Sequence, residues 1–463
     1  MMEAAFTAFA NFMWGMPLVI LLVGGGIFFV AYSRGLPYRH FKHALQILSG
    51  RYDHHDDEGD IPHAQALSTA LSGTLGLGNI AGVALALTMG GPGAIFWMWV
   101  TAVIGVATKF YTCSLAVMFR GKDSIGRLQG GPMYVVREGL GKRWWPLAAL
   151  FAVAGLMGTM PAFQVNQLVQ IVRDVVAIPA GLASESNHFA FDLTLGLIIA
   201  ALVLLVITGH VQRVGKVTLR MVPVMVLLYL GMTLLLLIQY LGEIPAALHL
   251  IVTDAFSGQA AAGGAIGTVI LMGVRRGAFS NEAGIGTESM AHGAAKTKEP
   301  IREGLVAMMG PVIDTLLVCT CTALAILVTD AWQVDGSIDG VTLTARAFET
   351  AFPNVGAYLL VLVVALLSLS TVFTFWYYGS KCLGFLIGAQ HQHHYIWIYA
   401  TLVVLGSVVS LRAVVGLVDG LYATMAIPTM VSALLLAPRV NRAARDYFAR
   451  HRNGDHKPAS TNS

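Results

Sequence analysis

Two long apolar stretches of this chain are interrupted at their centres, and they occupy matching places in its two halves. The first reads Ala70-Leu-Ser-Gly-Thr-Leu-Gly-Leu-Gly-Asn-Ile-Ala-Gly82, and the second reads Gly273-Val-Arg-Arg-Gly-Ala-Phe-Ser-Asn-Glu-Ala-Gly-Ile-Gly286. Each glycine weakens a helix by about 1 kcal/mol relative to alanine. Backbone groups left unpaired in hydrocarbon are too costly unless protein or a wet cavity surrounds them. A glycine-rich break at membrane depth therefore implies that something binds there. A pair of such breaks, one per half, is the sequence pattern of a secondary transporter's substrate site.

Composition puts both stretches in a membrane. Of 463 residues, 56% are hydrophobic and 12% charged, with a mean hydropathy of +0.69; soluble chains carry about 25% charge. The sequence opens Met-Met-Glu without a basic leader, and the apolar run Pro17–Ala31 ends at Arg34, which reads as an uncleaved first span. The four cysteines, Cys113, Cys319, Cys321 and Cys382, lie in apolar stretches without metal-ligand spacing and read as small core residues. The net charge of +4 implies no nucleic-acid partner.

At about 20 apolar residues per span, eleven spans are expected: 13–32, 66–90, 93–119, 144–171, 191–209, 219–241, 262–292, 304–330, 356–386, 394–412 and 415–437. Alternate loops are basic. One set holds Arg34, Arg39, Lys42 and Arg51, then Arg120 to Arg143, then Arg213, Lys216 and Arg220, then Lys296, Lys298 and Arg302, then Lys381 and the tail from Arg439. The other set carries Glu243, Asp254, Asp330, Asp335 and Asp339, with few cations. By the positive-inside rule the C-terminus is cytoplasmic and the N-terminus outside.

Without the first span, ten remain, and the breaks fall in the first and sixth of them. Five spans per half is an odd number, so the halves have opposite orientation. The expected fold is an all-α polytopic membrane protein. It has one extra helix (13–32), then a five-plus-five inverted repeat (66–241 and 262–437) whose opening helices are discontinuous. The whole forms one transporter domain, 1–438, with a basic tail, 439–463, disordered from Asn453 onward. The tract Asp53-His-His-Asp-Asp-Glu-Gly-Asp60 and the cluster His391, His393 and His394 read as solvated loops rather than metal sites.

Unwinding around Ser72–Asn79 would free carbonyls to coordinate a cation and expose N–H groups at the start of the next half-helix to a carboxylate. Thr74 and Asn79 add side-chain oxygens. The competing reading is close helix packing, for which Gly78 and Gly82 are suitably spaced. In Leu367–Gly379, Ser370 and Thr371 point about 100° apart on a helix and can both face a crevice. The alternative is that they bond their own backbone. Gln164 and Asn166 are amides inside an apolar helix and need partners. Glu282, Arg275 and Arg276 lie at membrane depth, where ionisable groups are functional by default. Glu282 either pairs with Arg276 to hold the break or titrates. Glu288 and Asp314 are further buried acids without an assigned role.

The motifs resemble the alanine/glycine:cation symporter family. The likeness rests on Ser72-Gly-Thr-Leu-Gly-Leu-Gly-Asn-Ile-Ala-Gly-Val83, Gly90-Gly-Pro-Gly-Ala-Ile-Phe-Trp-Met-Trp99 and Gly130-Gly-Pro-Met-Tyr134. It rests equally on Arg276–Gly286, Ala291-His-Gly-Ala-Ala-Lys-Thr-Lys298 and Gly304–Ala323, within a match from about residue 13 to 438. The resemblance implies a leucine-transporter type of fold and sodium-coupled uptake of alanine or glycine into the cell by alternating access. It implies a sodium ion held by carbonyls of Ser72, Leu75 and Leu367 and hydroxyls of Ser370 and Thr371. Five neutral oxygens suit a weakly bound monovalent ion.

For the substrate, the carboxylate is expected at the N–H groups of Leu77 and Gly78, and the ammonium at carbonyls of Phe279, Ser280 and Asn281. Thr74, Gln164, Glu282 and Phe375 are expected around the same chamber. Three departures from the family bear on substrate identity: Met160-Pro161 stands where Gly-Asn is usual, Phe375 replaces a typical tryptophan, and Thr287, Glu288 and Ser289 replace small residues. Glutamine or serine as substrate, or proton coupling, are the alternatives. A channel would need a filter or a charged ring, and no enzyme motif such as His-Glu-x-x-His or Gly-x-Ser-x-Gly occurs. The expected partners are the amino acid, the sodium ion and the bilayer, around a monomer.

Overall fold

The computed structural model describes residues 2–52, 57–256, 265–333 and 340–453. The first half of the histidine-acid tract (53–56), Asp335, Asp339, the first residues of the expected seventh span and the tail from 454 lie outside the described residues.

The fold is almost wholly helical. An N-terminal arm is formed by α1 (Met2–Met13) and α2 (Met16–Tyr32), bent by 48° at Trp14-Gly15. A short helix, α3 (Phe41–Leu48), follows. The first interrupted pair is α4 (His63–Thr74) and α5 (Ala81–Gly90), bent by 57°, and then comes α6 (Gly93–Met118). Next are α7 (Trp145–Gly158), α8 (Ala162–Val172), α9 (Phe189–Ile207), α10 (His210–Gln239) and α11 (Ile244–Asp254). The second interrupted pair is α12 (Ala265–Asn281) and α13 (Thr287–His292). The chain ends with α14 (Pro300–Val328), α15 (Val341–Ala351), α16 (Gly356–Ile387), α17 (Tyr395–Val408) and α18 (Leu411–Arg452).

Among the described residues, seven helices are long and apolar enough to cross a bilayer, or nine when each bent pair counts as one span. The chain is therefore a multi-pass membrane protein. The second interrupted pair and the 14-residue α17 fall short of that length test for a simple reason: a break divides the first, and 14 residues rise only about 21 Å.

The interrupted helices sit at the centre of the bundle. α12 packs along α6 and against α5; α4 packs against α13, α16 and α10. α15 lies across α5, α14 and α16. The N-terminal arm is external to this core and runs along α18, where Trp14 Nε1 donates to the Asp419 carbonyl at 2.9 Å. All four cysteines are buried and free, as their apolar settings predict.

At one end of the bundle the tips of both interrupted helices are tied together. Glu303, at the start of α14, accepts from Nδ1 of His63 on α4 and from Nδ1 of His292 on α13. Lys296 N–H donates to the Ile61 carbonyl at 2.6 Å, and Asp60 N–H to the Ala294 carbonyl at 2.9 Å. Arg120 donates to the carbonyls of Gly293 (2.7 Å), Thr297 (3.1 Å) and Ala295. Carbonyls that a short helix leaves without partners are thus answered by one guanidinium.

Outside the spans, α3 docks on the far end of α18. His43 Nε2 bonds the Tyr447 hydroxyl at 2.8 Å, and the imidazole is buried. Burial, and then the positive charges of His451, His40 and Arg302, hold the His43 pKa at about 4, against an ordinary 6.5. Between those values the undocked segment binds more protons than the docked one, so docking is complete above about pH 6.5 and weakens as pH falls toward 4. The hydrogen-exchange protection factor of 41–48, taken relative to the intrinsic amide rate at each pH, is expected to fall over that interval, and His43→Gln to remove most of that fall. A protection factor that is flat from pH 7 to 4 in the unsubstituted protein contradicts this.

Candidate functional site

The first break follows from local sequence. α4 ends at Thr74; Leu75 leaves the helix (φ −74°, ψ 68°) and Gly76 is extended (φ −122°, ψ −153°). A single 3-10 turn, Leu77–Asn79, leads into α5. The Asn79 side chain holds this turn by accepting the Gly76 N–H at 3.2 Å. Glycine at 76 also leaves room for the neighbours. A methyl there would lie 2.5 Å from Thr371 Oγ1 and 3.5 Å from Gln164 Oε1.

The second break lies later than the sequence pattern indicates. The glycine pattern predicts an interruption near Gly277–Gly284, but α12 continues to Asn281 and the irregular segment is 282–286. Gly277 serves close packing instead: a methyl there would lie 2.1 Å from Thr101 Oγ1 on α6. The chain turns through left-handed conformations at Glu282 (φ 56°), Gly284 (φ 86°) and Gly286 (φ 100°). Glycine is the default residue for such φ values, whereas Glu282 needs side-chain support to hold one. It receives that support from Thr287 Oγ1 and, at 3.2 Å, from the Tyr422 hydroxyl.

The two breaks meet. A methyl on Gly78 would touch the Phe279 ring at 3.4 Å and Ser280 Cα at 3.5 Å. Asn79 Nδ2 donates to Ser280 Oγ at 3.3 Å and to the Asp314 carbonyl at 3.4 Å. Ser280 Oγ in turn donates to Asp314 Oδ1. Asn281 is held by Thr315 Oγ1 (3.2 Å) and by the Ala283 N–H (2.9 Å). The freed Asn79 carbonyl accepts from Thr322 Oγ1 at 2.8 Å, and the Ile80 carbonyl from Thr344 Oγ1 on α15 at 3.5 Å. Asn79, Ser280, Asn281, Asp314 and Thr315 are all buried, and so are the partners they bond.

Gln164 stands beside the first break, its Oε1 accepting the Leu77 N–H at 3.3 Å. The N–H expected to meet a substrate carboxylate is therefore already engaged, and Gln164 and a carboxylate compete for it. Asn166 faces elsewhere: its Nδ2 donates to the carbonyls of Val409 (2.6 Å) and Gly406 (3.4 Å), fixing the α17–α18 corner. Phe279 lies in the last turn of α12, between Phe163 (centroids 5.4 Å apart) and Tyr422 (5.1 Å). Phe375 packs one turn from Tyr378 on α16, with ring centroids 6.3 Å apart. Among the described residues Thr74 Oγ1 is buried without a hydrogen-bond partner, and so is the Tyr378 hydroxyl beside Gly73. Buried hydroxyls without partners are costly, so both are placed to receive a ligand or water.

A second group of oxygens converges between α4 and α16. Thr371 Oγ1 donates to the Ser72 carbonyl at 2.9 Å and the Leu367 carbonyl at 3.0 Å. Ser370 Oγ donates to the Leu367 carbonyl at 2.9 Å, and Ser72 Oγ to the Ser370 carbonyl at 2.8 Å. Thr374 Oγ1 adds a contact to Ser72 Oγ at 3.0 Å. Four of the five expected ion-binding residues are joined. Leu75 is buried at the first non-helical position, and among the described residues its carbonyl receives no hydrogen bond from them. The set is neutral and oxygen-rich, which fits a monovalent cation rather than a divalent one.

The model of the sodium:alanine symporter family matches residues 1–462. The chain belongs to the sodium:alanine symporter family. It is 38% identical over 432 residues to the sodium/alanine symporter AgcS of Methanococcus maripaludis, covering 92% of this chain and 93% of that one. It is 37% identical over 459 residues to an uncharacterized transporter of Haemophilus influenzae (97% and 96% covered). It is 33% identical over 449 residues to the probable sodium/glutamine symporter GlnT of Bacillus subtilis (96% and 90%). The crystal structure of MhsT in complex with L-phenylalanine shares the fold, with a TM-score of 0.55 at 12% identity, covering 83% of this chain and 98% of that one.

In this symporter-family chain the buried arginines have a partner that sequence reading missed. Glu282 does not pair with Arg276. Arg275 Nη2 lies 2.7 Å from Asp419 Oδ2 on α18, and Arg276 Nη2 contacts the same oxygen. Arg276 also lies over the Phe279 ring, 5.3 Å from its centroid. The signal was present: Asp419 is an acid within the apolar run 415–437, as unexpected at membrane depth as the two arginines. Two guanidiniums share one carboxylate, so removing it leaves both buried charges uncompensated. Asp419→Asn is expected to destabilise the protein by about 3–5 kcal/mol, read as a large drop in the melting temperature of detergent-purified protein. Arg275→Gln, which leaves one pair intact, should cost clearly less. Equal melting temperatures for Asp419→Asn and the parent would show that the pair carries no such weight.

Proposed function

We propose that this protein is a sodium-coupled symporter that carries a small neutral amino acid, alanine or glycine, into the cell by alternating access. The observation that carries the reading is the meeting of the two breaks at Gly78, Phe279 and Ser280, with Gln164 at the Leu77 N–H. A substrate carboxylate takes the N–H groups of Leu77 and Gly78 at the positive start of the half-helix, displacing Gln164 Oε1 from Leu77. Gln164 then turns its amide toward the ligand. The ammonium takes carbonyls of the last turn of α12, Phe279–Asn281, which have no partners further along that helix. Thr74 Oγ1 supplies one further polar contact. Phe279, wedged between Phe163 and Tyr422, is a fixed wall that favours a short side chain.

Sodium enters between α4 and α16. It replaces the hydrogen bonds that Thr371 makes to the carbonyls of Ser72 and Leu367, with Ser370 and Leu75 completing the set. Because Ser72 and Gly76 lie on one continuous segment, drawing the Ser72 carbonyl to the ion also sets the N–H groups of the break. That linkage is the coupling: each ligand raises the affinity of the other. The named relatives support sodium and an amino acid, and they differ on which one. Glutamine is the second reading, favoured by the Bacillus subtilis relative. Glu282, held by Thr287 and Tyr422, serves to fix the break rather than to carry protons. The core is read as a five-plus-five inverted repeat of ten spans behind one extra helix, with the N-terminus outside and the tail cytoplasmic.

Proteoliposome uptake with a panel of amino acids, with and without a sodium gradient, tests this. Alanine or glycine uptake is expected to require inward sodium, and glutamine to compete weakly. Thr371→Ala should raise the sodium concentration for half-maximal uptake about tenfold, equivalent to about 1.4 kcal/mol, with substrate selectivity kept. Gly78→Val should abolish uptake, since a β-branched side chain would press on Phe279 and block the approach of a carboxylate. Uptake indifferent to sodium, or competition by amines lacking a carboxylate as strong as that by alanine, contradicts the proposal.

A further inference from the structure

At the end of the molecule that carries the basic loops, a cavity of about 610 Å³ lies between the N-terminal arm and the extended end of α18. Its lining includes Arg34, Arg39, Arg445 and Arg452, with His40 and Tyr32, and among the described residues it contains no carboxylate. Among the described residues none of these four arginines makes an ion pair or donates a side-chain hydrogen bond to the protein. Their neighbours do otherwise: Arg450 is paired with Glu299 at 2.6 and 3.0 Å, and Arg302 donates to the Tyr52 carbonyl at 3.1 Å. Four like charges around one cavity repel one another unless an anion sits among them.

The fold builds this cavity. α2 ends at Tyr32, and the chain reverses through left-handed conformations at Arg34 (φ 54°) and Gly35 (φ 68°), with Gly35 N–H donating back to the Val30 carbonyl at 3.0 Å. The turn sets Arg34 and Arg39 opposite α18. Asn441 bridges the two sides, donating to the Tyr32 carbonyl at 3.0 Å and accepting from the Tyr111 hydroxyl. His40 stacks on Phe448 of α18 with centroids 3.8 Å apart. The cavity is thus placed where the apolar helix gives way to charge, the level of the lipid head groups.

The mouth is apolar on the membrane side. Tyr32 is 40% exposed and stacks on Phe28, which lies one turn deeper and is 41% exposed, at 5.1 Å, and Ile27, the residue before Phe28, is 54% exposed. A soluble anion has no use for such a surface, whereas the acyl chains of a lipid do. We propose that this cavity binds the phosphate of an anionic phospholipid, with Arg34, Arg39, Arg445 and Arg452 around the head group and the acyl chains along Phe28 and Ile27. Guanidiniums grip phosphate oxygens through paired N–H donors, and basic pockets between helices at a membrane face suit anionic lipids. The bound lipid bridges α2 to α18 and so fastens the arm to the core.

The test uses the full chain, purified and delipidated in detergent, with its melting temperature read after adding cardiolipin, phosphatidylglycerol, phosphatidylcholine or inorganic phosphate. A ligand that binds only the folded state raises that temperature. Cardiolipin or phosphatidylglycerol is expected to raise it by several degrees, and phosphatidylcholine and inorganic phosphate to leave it in place. The double variant Arg34→Gln/Arg445→Gln should lose most of the rise. Arg442→Gln, on the same helix but outside the cavity, should keep it. A rise undiminished in the double variant, or reproduced by phosphatidylcholine or by inorganic phosphate, overturns the proposal. If the double variant does not fold, native mass spectrometry of Arg452→Gln decides. Retention of anionic lipid should fall at least severalfold against the unsubstituted protein, and equal retention overturns the site.

Discussion

The bond from Asn79 to Ser280 joins the two broken helices, and most of the central architecture follows from it. A break in a membrane helix exposes carbonyl and N–H groups that hydrocarbon cannot satisfy. Here one asparagine answers on both sides. Its carbonyl oxygen caps the Gly76 N–H of its own turn, and its amide reaches Ser280 and the Asp314 carbonyl. Thr322 of α14 takes up the freed Asn79 backbone carbonyl, and Thr344 of α15 adds a second bond to that of Ile80. With the backbone satisfied in this way, Gly76 and Gly78 can stay open toward Gln164 and Phe279. Asn79 is thus a strut rather than a ligand, and it gives the site fixed walls before anything binds.

Two polar fastenings stand on either side of this centre. At one end Glu303 joins His63 of α4 to His292 of α13, so both broken helices end on a single carboxylate. At the other, Asp419 joins Arg275 and Arg276 of α12 to α18, and Arg276 reaches over Phe279 toward the breaks. Each fastening is buried, so separating its partners in a dry interior would cost far more than at a surface. Water entering along either face would lower that cost.

How much of this was legible in the sequence depended on the range of the interaction. The first break was read within a residue or two because its cause is local: Gly76, Gly78 and Asn79 lie within four residues of one another. The second was read several residues early because Gly277 looks the same in sequence whether it breaks a helix or admits Thr101 against it. The Thr371, Ser370, Ser72 and Leu367 cluster emerged from a family resemblance, and the contacts join those four. Partners across the fold were not legible. Arg276 meets an acid 143 residues away rather than Glu282 six positions on. Gln164 and Asn166, two residues apart, serve different neighbours because successive positions point to different faces of a helix. Phe375 was grouped with the chamber by analogy, and its ring lies 6.3 Å from that of Tyr378.

In the proposed function the ion and the substrate share one segment of chain, Ser72 to Gly78, and so bind interdependently. The most direct measurement is calorimetric titration of alanine into the detergent-purified full chain at a series of sodium concentrations, with potassium or choline holding ionic strength constant. The account predicts that alanine affinity rises with sodium until the ion site saturates, and that alanine raises sodium affinity by the same factor. Alanine binding of constant affinity from zero to saturating sodium would contradict it, since the two ligands would then not meet through the first break.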